Sequence, residues 1–507
     1  MDLGSLEPTG NAYPKKGDEN MKAKVPETWD FEYDVVVVGW GSAGTAAAVT
    51  SHDQGAKVLI LEKMTDGGGN TRVCGGNIII PKGKEFMEYL NTLSFKTTER
   101  EIIETFVEYA LKNGDWIREM GADVQVFRPL EVAYPTMIGG AGFPHVPGAE
   151  TVVKYNIKGT PEEGKPSQRL WKFLSSLVAK RGIKVLTGAP AKELIPNTEG
   201  EIIGVAAEKE GKKIYIKARK AVILTCGGYE NDPRTKWDYL PVKPAMFLGT
   251  PGNTGDGIRM VQKVGSDLWH MTRLSCLIGF KAPEFEAAFW VAFLSEGFIF
   301  TDKYGRRFVN EAGIEIHEYY QELSHFDVEK MEFPRVPLWA IFDEQTRRRG
   351  PLSRGTAGYN RDLYSWSLDN TAEIAKGWIL RGKTVAELAS RISVEPKVLE
   401  ETLSRFNRNC KAGKDEFGRN REDLRSLEPP FYAIQLWPAL INTQGGPRRD
   451  KESRVLDPEG KPIPRLYAAG ELGSIWGYLY QGACNIGEAL VFGRIAGKNA
   501  AAQKPWS

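Results

Sequence analysis

Three closely spaced glycines and one carboxylate are the first residues of this sequence whose types and spacing suit a chemical task. Gly39, Gly41 and Gly44 follow a run of four valines. A second apolar run ends just before Glu62, which stands 18 residues after the last of these glycines. Such glycines allow a tight turn and let a pyrophosphate approach the backbone, while a carboxylate at this distance binds ribose hydroxyls. A glycine turn in a sheet that binds no nucleotide is the competing interpretation. The succession of strand, turn, helix, strand and acid favours an adenine dinucleotide.

A second glycine-rich stretch indicates which dinucleotide binds. The sequences Gly67-Gly-Gly-Asn-Thr71 and Cys74-Gly-Gly-Asn77 follow directly after the second predicted strand. Two-domain NAD enzymes do not need such a loop, whereas a flavin ring needs backbone amides at its edge with no side chain between. Residues 466–471 add a short apolar strand that ends in Gly-Glu. Together these stretches predict a flavin.

The order of these motifs resembles that of the FAD flavoprotein superfamily of fumarate reductases and 3-ketosteroid dehydrogenases. The resemblance covers residues 33–502 and includes two further motifs, Ala221-Val-Ile-Leu-Thr-Cys-Gly-Gly-Tyr229 and Asn253-Thr-Gly-Asp-Gly257. It implies FAD as the cofactor, bound without a covalent link because the Gly69-Asn-Thr71 loop offers no histidine. The residues that it implies for cofactor binding are Gly39, Gly41, Ser42, Ala43, Gly44, Glu62, Lys63, Gly69, Asn70, Thr71, Gly75, Gly76, Ala191, Cys226, Gly227, Asp256, Gly470, Glu471, Asn485 and Ile486.

The same resemblance implies residues for the chemistry at the substrate. Tyr480 lies where fumarate reductases place an arginine that clamps a carboxylate, and where ketosteroid dehydrogenases place a tyrosine that binds a ketone oxygen. A phenol cannot replace a bidentate guanidinium, but it can stabilise a developing enolate. In the dehydrogenases a glycine amide at the position of Cys484 assists, and a second tyrosine exchanges the proton. Tyr319, Tyr320 and Tyr134 are the tyrosines that we expect for that second role.

The sequence does not determine which side chain of residues 315–320 reaches the flavin. Glu315 occupies the position of the proton-donating arginine of fumarate reductases, and residues 311–321 contain no arginine. Tyr319 and Tyr320 lie four or five residues later, with His317 between. A structural histidine is the more common interpretation of His317. Any of these four residues remains a possible neighbour of the flavin.

The function that these features favour is an FAD-dependent oxidoreductase acting on a CH–CH bond next to a ketone. Hydride would be exchanged with flavin N5, either in a 3-ketosteroid-type dehydrogenase or in an enone reductase. Phe285, Phe289, Trp290 and Phe293 would suit a flat, apolar cyclic substrate. Two alternatives are a reductase of an unsaturated acid such as fumarate, and a flavoprotein subunit that passes electrons to a partner. The sequence does not indicate direction, exact substrate, electron partner or oligomeric state.

The elements that must position these residues predict an α/β protein with a discontinuous domain. Residues 1–32 read as a flexible arm, because they are polar and rich in Pro, Gly, Lys and Glu. Residues 33–275 and 438–507 are expected to form a Rossmann-type FAD-binding domain. Residues 276–437 are expected to form an inserted α+β substrate or cap domain.

Composition excludes several other classes of protein. The chain has 507 residues, and 67 basic residues against 65 acidic ones give a net charge of +2, without a basic run that would suit nucleic acid. No apolar stretch is long enough to predict an integral membrane segment. The five cysteines form no Cys-x-x-Cys pair and the five histidines show no metal-ligand spacing. These patterns favour a reducing, cytoplasmic location and no metal.

Overall fold

The computed structural model describes residues 25–127 and 140–506. Residues 1–24 of the predicted arm and Tyr134 therefore lie outside the described residues. The described chain is a mixed α/β structure built around two large sheets.

The strands, in chain order, are β1 (Phe31–Val38), β2 (Val58–Leu61), β3 (Ile78–Ile79), β4 (Val124–Val126), β5 (Lys154–Ile157), β6 (Lys184–Leu186), β7 (Ala191–Pro196), β8 (Ile202–Lys209), β9 (Lys212–Leu224), β10 (Met246–Phe247), β11 (Leu268–Trp269), β12 (Leu274–Phe280), β13 (Phe289–Trp290), β14 (Phe298–Thr301), β15 (Leu338–Asp343), β16 (Leu380–Gly382), β17 (Phe431–Thr443), β18 (Gly446–Pro447), β19 (Arg454–Leu456) and β20 (Pro462–Ala468).

The α-helices are α1 (Ser42–Asp53), α2 (Gly69–Val73), α3 (Phe86–Ser94), α4 (Arg100–Ala110), α5 (Asn113–Glu119), α6 (Pro166–Lys180), α7 (Pro233–Tyr239), α8 (Asp256–Lys263), α9 (Tyr319–Leu323), α10 (Glu344–Arg348), α11 (Thr371–Ala375), α12 (Val385–Arg391), α13 (Pro396–Ala412) and α14 (Cys484–Ala502).

The first sheet has the Rossmann-type arrangement that the sequence predicts. Its main path runs β19-β20-β9-β1-β2-β6, and β1 pairs in parallel with both β2 and β9. The four valines of β1 are buried because alternate side chains enter apolar clusters on opposite faces of the sheet. A strand covered on both faces reads as an unbroken apolar run, which is why the sequence signal is strong.

Helices α1 and α14 pack together at unusually short range. A Cβ atom added to Gly493 would lie 2.6 Å from the carbonyl oxygen of Ala43, and one added to Gly497 would lie 2.4 Å from that of Ala47. Only glycine allows the two backbones to approach this closely. The middle of α14 is thereby held against the first half of α1, which directly follows the glycine turn.

The second sheet has the order β13-β12-β17-β15-β14, with β10 and β16 also paired to β17. Along the chain, its strands come after the first segment of the first sheet (β1 to β9) and before the second segment (β19 and β20). This order gives the discontinuous architecture predicted from the sequence. Both predicted domain boundaries fall inside its strands, after residue 275 within β12 and after residue 437 within β17. The strand β10 comes from the segment assigned to the FAD-binding domain and nevertheless pairs with β17. The proposed domain limits therefore remain a prediction.

Two further findings concern only the part of the chain that the structure describes. Within it, no helix is both long and apolar enough to cross a membrane. The same residues contain no group of three or more histidine, cysteine, aspartate or glutamate side chains placed to hold a metal ion.

Candidate active site

One cavity extends from the carboxyl ends of β1, β2, β9 and β20 to the second sheet. Every residue predicted to bind the cofactor lines this cavity, except Gly44. Gly44 lies behind the turn, where an added Cβ atom would be 2.1 Å from the carbonyl oxygen of Gly39. Its place corresponds to the close strand-to-helix contact expected of the third glycine.

Glu62 is held at the end of β2 by two backbone amides. The N–H of Trp40 donates to its Oε2 at 2.9 Å, and the N–H of Met64 donates to its Oε1 at 2.8 Å. Burial raises the pKa of Glu62, while these amides and Lys63 act in the opposite direction. The carboxylate is thus fixed in one orientation and still lines the cavity.

Asn70, in the second glycine-rich loop, joins segments that are far apart in sequence. Its Nδ2 lies within hydrogen-bonding distance of Glu230 Oε1 at 2.8 Å, Glu471 Oε2 at 3.0 Å and the carbonyl oxygen of Ile441 at 3.0 Å. Its Oδ1 accepts from the N–H of Thr250 at 2.8 Å. Burial and the neighbouring Glu230 raise the pKa of Glu471 well above its ordinary value. This polar junction fixes the wall where the two sheets meet.

The cavity has features that fit a flavin dinucleotide. An added Cβ atom at Gly69 would meet no described atom within 4 Å, so the backbone there is open to a ligand. Asn485, in the first turn of α14, lines the cavity with both Oδ1 and Nδ2 buried and without a hydrogen-bond partner in the described part of the chain. Because a buried amide requires partners and the edge of an isoalloxazine offers both N–H and C=O groups, the two are complementary.

Tyr480 lies at the other end of the cavity, between α14 and the second sheet. Its side chain is buried, and its Oη accepts a hydrogen bond of 3.1 Å from the N–H of Asn485. Burial raises the pKa of Tyr480 well above 10, which keeps the phenol protonated and able to donate. The amide of Cys484, which the resemblance implies as a second donor to the ketone oxygen, donates instead to the carbonyl oxygen of Gln481 at 3.1 Å.

The structure places Tyr319 and Tyr320 away from the cavity, which argues against the catalytic role predicted for them. Both side chains are 1 % exposed, and the hydroxyl of Tyr319 donates to the carbonyl oxygen of Glu311 at 2.6 Å. They begin helix α9 and pack into the core, so the helix turns them inward. Instead, the irregular turn before α9 brings Glu315 and His317 to the cavity.

His317 and Glu315 form a hydrogen-bonded pair next to Tyr480. Glu315 accepts from the backbone N–H of His317 at 2.7 Å and from its Nδ1 at 2.8 Å. The rings of His317 and Tyr480 meet edge to face, with centroids 5.1 Å apart. The sequence favoured a structural interpretation of this histidine, because no periodicity shows which way the side chains of a turn point.

Lys154 is a cavity residue that sequence reasoning did not identify. It begins the short strand β5 and lines the cavity together with Glu315. Burial lowers the pKa of Lys154, and Glu315 opposes that change. No motif in the sequence marks this lysine, since only the pairing of β5 with β3 and β4 brings it to the site.

Of the four aromatic residues expected at the substrate, only Trp290 lines the cavity. Phe285 and Phe289 pack against Trp378, and Phe293 stacks on Phe298 with centroids 4.3 Å apart. The expectation for these three phenylalanines is therefore wrong, because they form the interior of the second sheet's core. The remaining apolar lining at this end comes from Leu248, Leu277, Ile316 and Ile441.

A parallel strand core followed by a glycine turn, with a second glycine loop lining the same cavity, is the arrangement of a dinucleotide-binding flavoprotein. Residues 34–486 match the family described as the FAD binding domain, and the chain belongs to that family. The cofactor is FAD. The fold predicted from the sequence is confirmed.

Three known proteins show the range of relatives. The chain is 29 % identical to urocanate reductase of Eggerthella lenta over 508 residues, covering 96 % of this chain and 77 % of that protein. It is 27 % identical to 3-oxosteroid 1-dehydrogenase of Mycolicibacterium smegmatis, covering 93 % and 97 %. The crystal structure of 3-ketosteroid Δ1-dehydrogenase from Sterolibacterium denitrificans, in complex with 1,4-androstadiene-3,17-dione, aligns with a TM-score of 0.79 at 23 % identity, covering 93 % and 99 %. The chain is accordingly an FAD-dependent oxidoreductase of the fumarate reductase and ketosteroid dehydrogenase family.

Proposed function

We propose that this protein exchanges a hydride between FAD and the carbon β to a ketone, on an apolar cyclic substrate. The observation that carries the proposal is Tyr480, a buried phenol in the cavity whose oxygen accepts from Asn485 N–H and whose proton is left to donate. When bound, FAD supplies the chemistry of accepting or giving the hydride.

The phenol of Tyr480 would hold the ketone oxygen and stabilise the negative charge that develops there. A donor placed in a water-poor site needs no reorganisation at the moment of reaction, which makes its contribution large. Leu248, Leu277, Trp290 and Ile441 would exclude water and hold a flat ring between the phenol and the cofactor.

The twenty residues that the sequence predicts for FAD would contact different parts of the cofactor. Glu62 would bind the ribose hydroxyls of the adenosine half, and the turn from Gly39 to Gly44 would approach the pyrophosphate. The side-chain amide of Asn485 would form hydrogen bonds with the edge of the flavin ring. None of the described residues near the Gly69 loop is a histidine, in keeping with a non-covalent cofactor.

A second candidate is the reduction of an unsaturated acid, and Lys154 is the observation in its favour. A carboxylate could pair with this buried cation, although Glu315 already shares its surroundings. Among the described residues that line the cavity there is no arginine. A dicarboxylate such as fumarate would therefore bury more negative charge than the site compensates, and we expect it to react poorly.

The test is the reoxidation of dithionite-reduced flavin, followed by absorbance under anaerobic conditions, with a panel of substrates. The panel contains 2-cyclohexen-1-one, 4-androstene-3,17-dione, urocanate and fumarate. 4-Androstene-3,17-dione is also tested with oxidised flavin, because it retains a saturated CH–CH bond next to its ketone. Faster reaction with ketones or enones than with either acid supports the proposal. Faster reaction with an acid favours the second candidate, and a flavin that reacts with none of them favours an electron-relay subunit.

Tyr480→Phe should lower the rate of the hydride step about a hundredfold or more, since one oxyanion donor is lost. Because the ring remains, the visible spectrum and the affinity for FAD should change little. The measurement is single-turnover reoxidation with the best enone of the panel, with Tyr432→Phe as a control, since Tyr432 lies in β17 and binds Glu344 outside the cavity. Equal rates for parent and Tyr480→Phe would refute ketone activation by this phenol.

A further inference from the structure

A buried imidazole–carboxylate pair lies beside Tyr480 and has no part in holding the cofactor as described above. The side chains of His317 and Glu315 are 14 % and 8 % exposed, and both line the cavity. Imidazole is the side chain best suited to exchanging a proton near neutral pH. The pair therefore lies where a group is needed to exchange the proton that accompanies the hydride.

The hydrogen bonds of Glu315 set the tautomer of His317. Its carboxylate lies 2.8 Å from Nδ1 and 2.7 Å from the backbone N–H, so Nδ1 is the nitrogen that carries the proton. Nε2 then presents a lone pair, and no described residue donates a hydrogen bond to it. A carboxylate on the far nitrogen also orients the imidazole base of the Ser-His-Asp triad.

We propose that His317, positioned by Glu315, is the catalytic residue that exchanges a proton with the substrate carbon next to the ketone. This inference rests on the proposed function, because it takes the ketone oxygen to be bound by Tyr480. The imidazole and the Tyr480 ring meet edge to face with centroids 5.1 Å apart, so the base and the phenol lie at the same end of the cavity. Only the carbonyl carbon separates the α carbon from the ketone oxygen.

His317 and Tyr480 would act in both directions of the reaction. In dehydrogenation, Nε2 takes the proton from the α carbon, and the electron pair of that bond forms the enolate whose oxygen Tyr480 stabilises. The enolate then reforms the ketone as the β carbon gives up its hydride to FAD, leaving a carbon–carbon double bond. In reduction, the β carbon receives the hydride, and the protonated His317 returns a proton to the α carbon.

Other groups at this end of the cavity suit the role less well. Tyr319 and Tyr320 point into the core. Cys484 is fully buried, and burial raises the pKa of its thiol well above 9. The ammonium group of Lys154 interacts electrostatically with Glu315, so this cation stabilises the carboxylate of the pair. The imidazole is thus the base that the described residues bring next to the phenol.

The first test compares single-turnover rates of His317→Gln, Glu315→Gln and the matched control His325→Gln, since His325 is exposed and lies outside the cavity. Dithionite-reduced enzyme is mixed in D₂O with 2-cyclohexen-1-one and 4-androstene-3,17-dione, and the product is examined by mass spectrometry for deuterium at the α carbon. We expect His317→Gln to be slower by about a hundredfold or more, Glu315→Gln by about tenfold or more, and His325→Gln to match the parent. The FAD content of all variants should be equal.

If the parent reacts and His317→Gln reacts at the same rate with the same labelling, the inference is overturned while the proposed function stands. A parent that reacts with none of the ketones or enones overturns both, and the parent alone shows this. The second test is independent of turnover: ¹⁵N NMR of histidine-labelled holoenzyme, with the His317 signals assigned from their loss in His317→Gln. An unprotonated Nε2 that changes state in Glu315→Gln supports the assignment, whereas a protonated Nε2 in the neutral ring overturns it.

Discussion

Glu62 and Glu318 are both buried carboxyl groups, yet their neighbours suit them to different roles. Two amides stabilise the carboxylate of Glu62, which lines the cavity. Glu318 accepts from the backbone amide of Tyr480 at 2.9 Å and from Nε2 of Gln321 at 3.2 Å, and burial with the nearby charge of Glu315 raises its pKa to about 8. The first is arranged to bind as an anion, and the second to stay protonated behind the phenol.

Glu62→Ala should weaken FAD binding by about 1.5–3 kcal/mol, the range for a hydrogen bond to a charged group. The measurement is a fluorescence titration of apoprotein with FAD, and FMN titrations provide the comparison. Because Glu62 is assigned to the adenosine ribose, FMN binding should be unaffected by the substitution. Unchanged affinity for FAD would place the ribose elsewhere.

Glu318→Gln should remove a pH dependence of stability. The folded-state pKa of about 8 lies above the ordinary 4.5. The folded protein therefore holds a proton that the unfolded chain releases, and stability present below pH 4.5 is lost as the pH rises through 8. Between pH 5 and pH 9 the free energy of unfolding of the parent should fall relative to the variant, on the order of 4 kcal/mol.

Denaturant unfolding at pH 5, 7 and 9 measures this difference. Glu329→Gln provides a control, because Glu329 is exposed. Parallel pH profiles for the parent and Glu318→Gln would contradict the raised pKa.

At the residue scale, the sequence predicted the cofactor side of the site better than the substrate side. Turn glycines and a strand-terminal acid are placed by local geometry, so their roles follow from spacing. Residues 315–318 form an irregular turn, where neither helical nor strand periodicity indicates which side chains enter a cavity. For that reason the sequence does not indicate that His317 lines the cavity, or that Tyr319 and Tyr320 turn into the core.

At the scale of elements, the loop between β20 and α14 controls the shape of the substrate end. Gly482 in this loop lies against the imidazole, and a Cβ atom added to it would be 2.8 Å from His317 Cε1. The ring has little freedom to move, because its Nδ1 is hydrogen-bonded to Glu315 at 2.8 Å. The loop therefore sets the distance between the imidazole and the phenol.

Gly482→Ala should lower turnover about tenfold or more by displacing the imidazole, since small errors in catalytic position are costly. FAD content and thermal stability should change much less than turnover. Steady-state rates and FAD absorbance measure these effects, with Gly114→Ala in α5 as the control, where the nearest atom to an added Cβ is Ile80 Cδ1 at 3.4 Å. Full activity in Gly482→Ala would show that the imidazole can shift without consequence.

The sequence also predicts individual strands and helices more reliably than it predicts which strands pair with each other. The strand β1, its glycine turn and α1 are encoded within about twenty consecutive residues, so the pattern alone reveals them. The strands β12 and β17 pair across more than 150 residues of chain, and no local signal fixes where such a pairing begins. The predicted domain boundaries fell inside these two strands for that reason.

At the scale of the whole molecule, the cavity wall is assembled from both sheets and from α14. A ligand that fills it contacts the folded arrangement only, so FAD should stabilise the native state by mass action. An excess of 100 times the dissociation constant corresponds to about 2.7 kcal/mol.

Apoprotein should accordingly melt at a lower temperature than holoprotein, and the midpoint should rise with FAD concentration. Scanning calorimetry measures the shift, and acid precipitation tests the absence of a covalent bond. We expect all of the flavin to appear in the supernatant as FAD. Flavin that stays with the precipitated protein would contradict non-covalent binding.

The distance along the chain between the two halves of the cavity wall has a consequence for biosynthesis. Residues 39–44 leave the ribosome about 400 residues before residues 441–489, which close the same cavity. At 5–20 residues per second, this interval is about 20–80 seconds. During that time the glycine turn exists without its opposite wall, and its α1 helix without the glycine-faced α14. We therefore expect the complete cavity for FAD to form only at the final stage of folding, when α14 packs on α1.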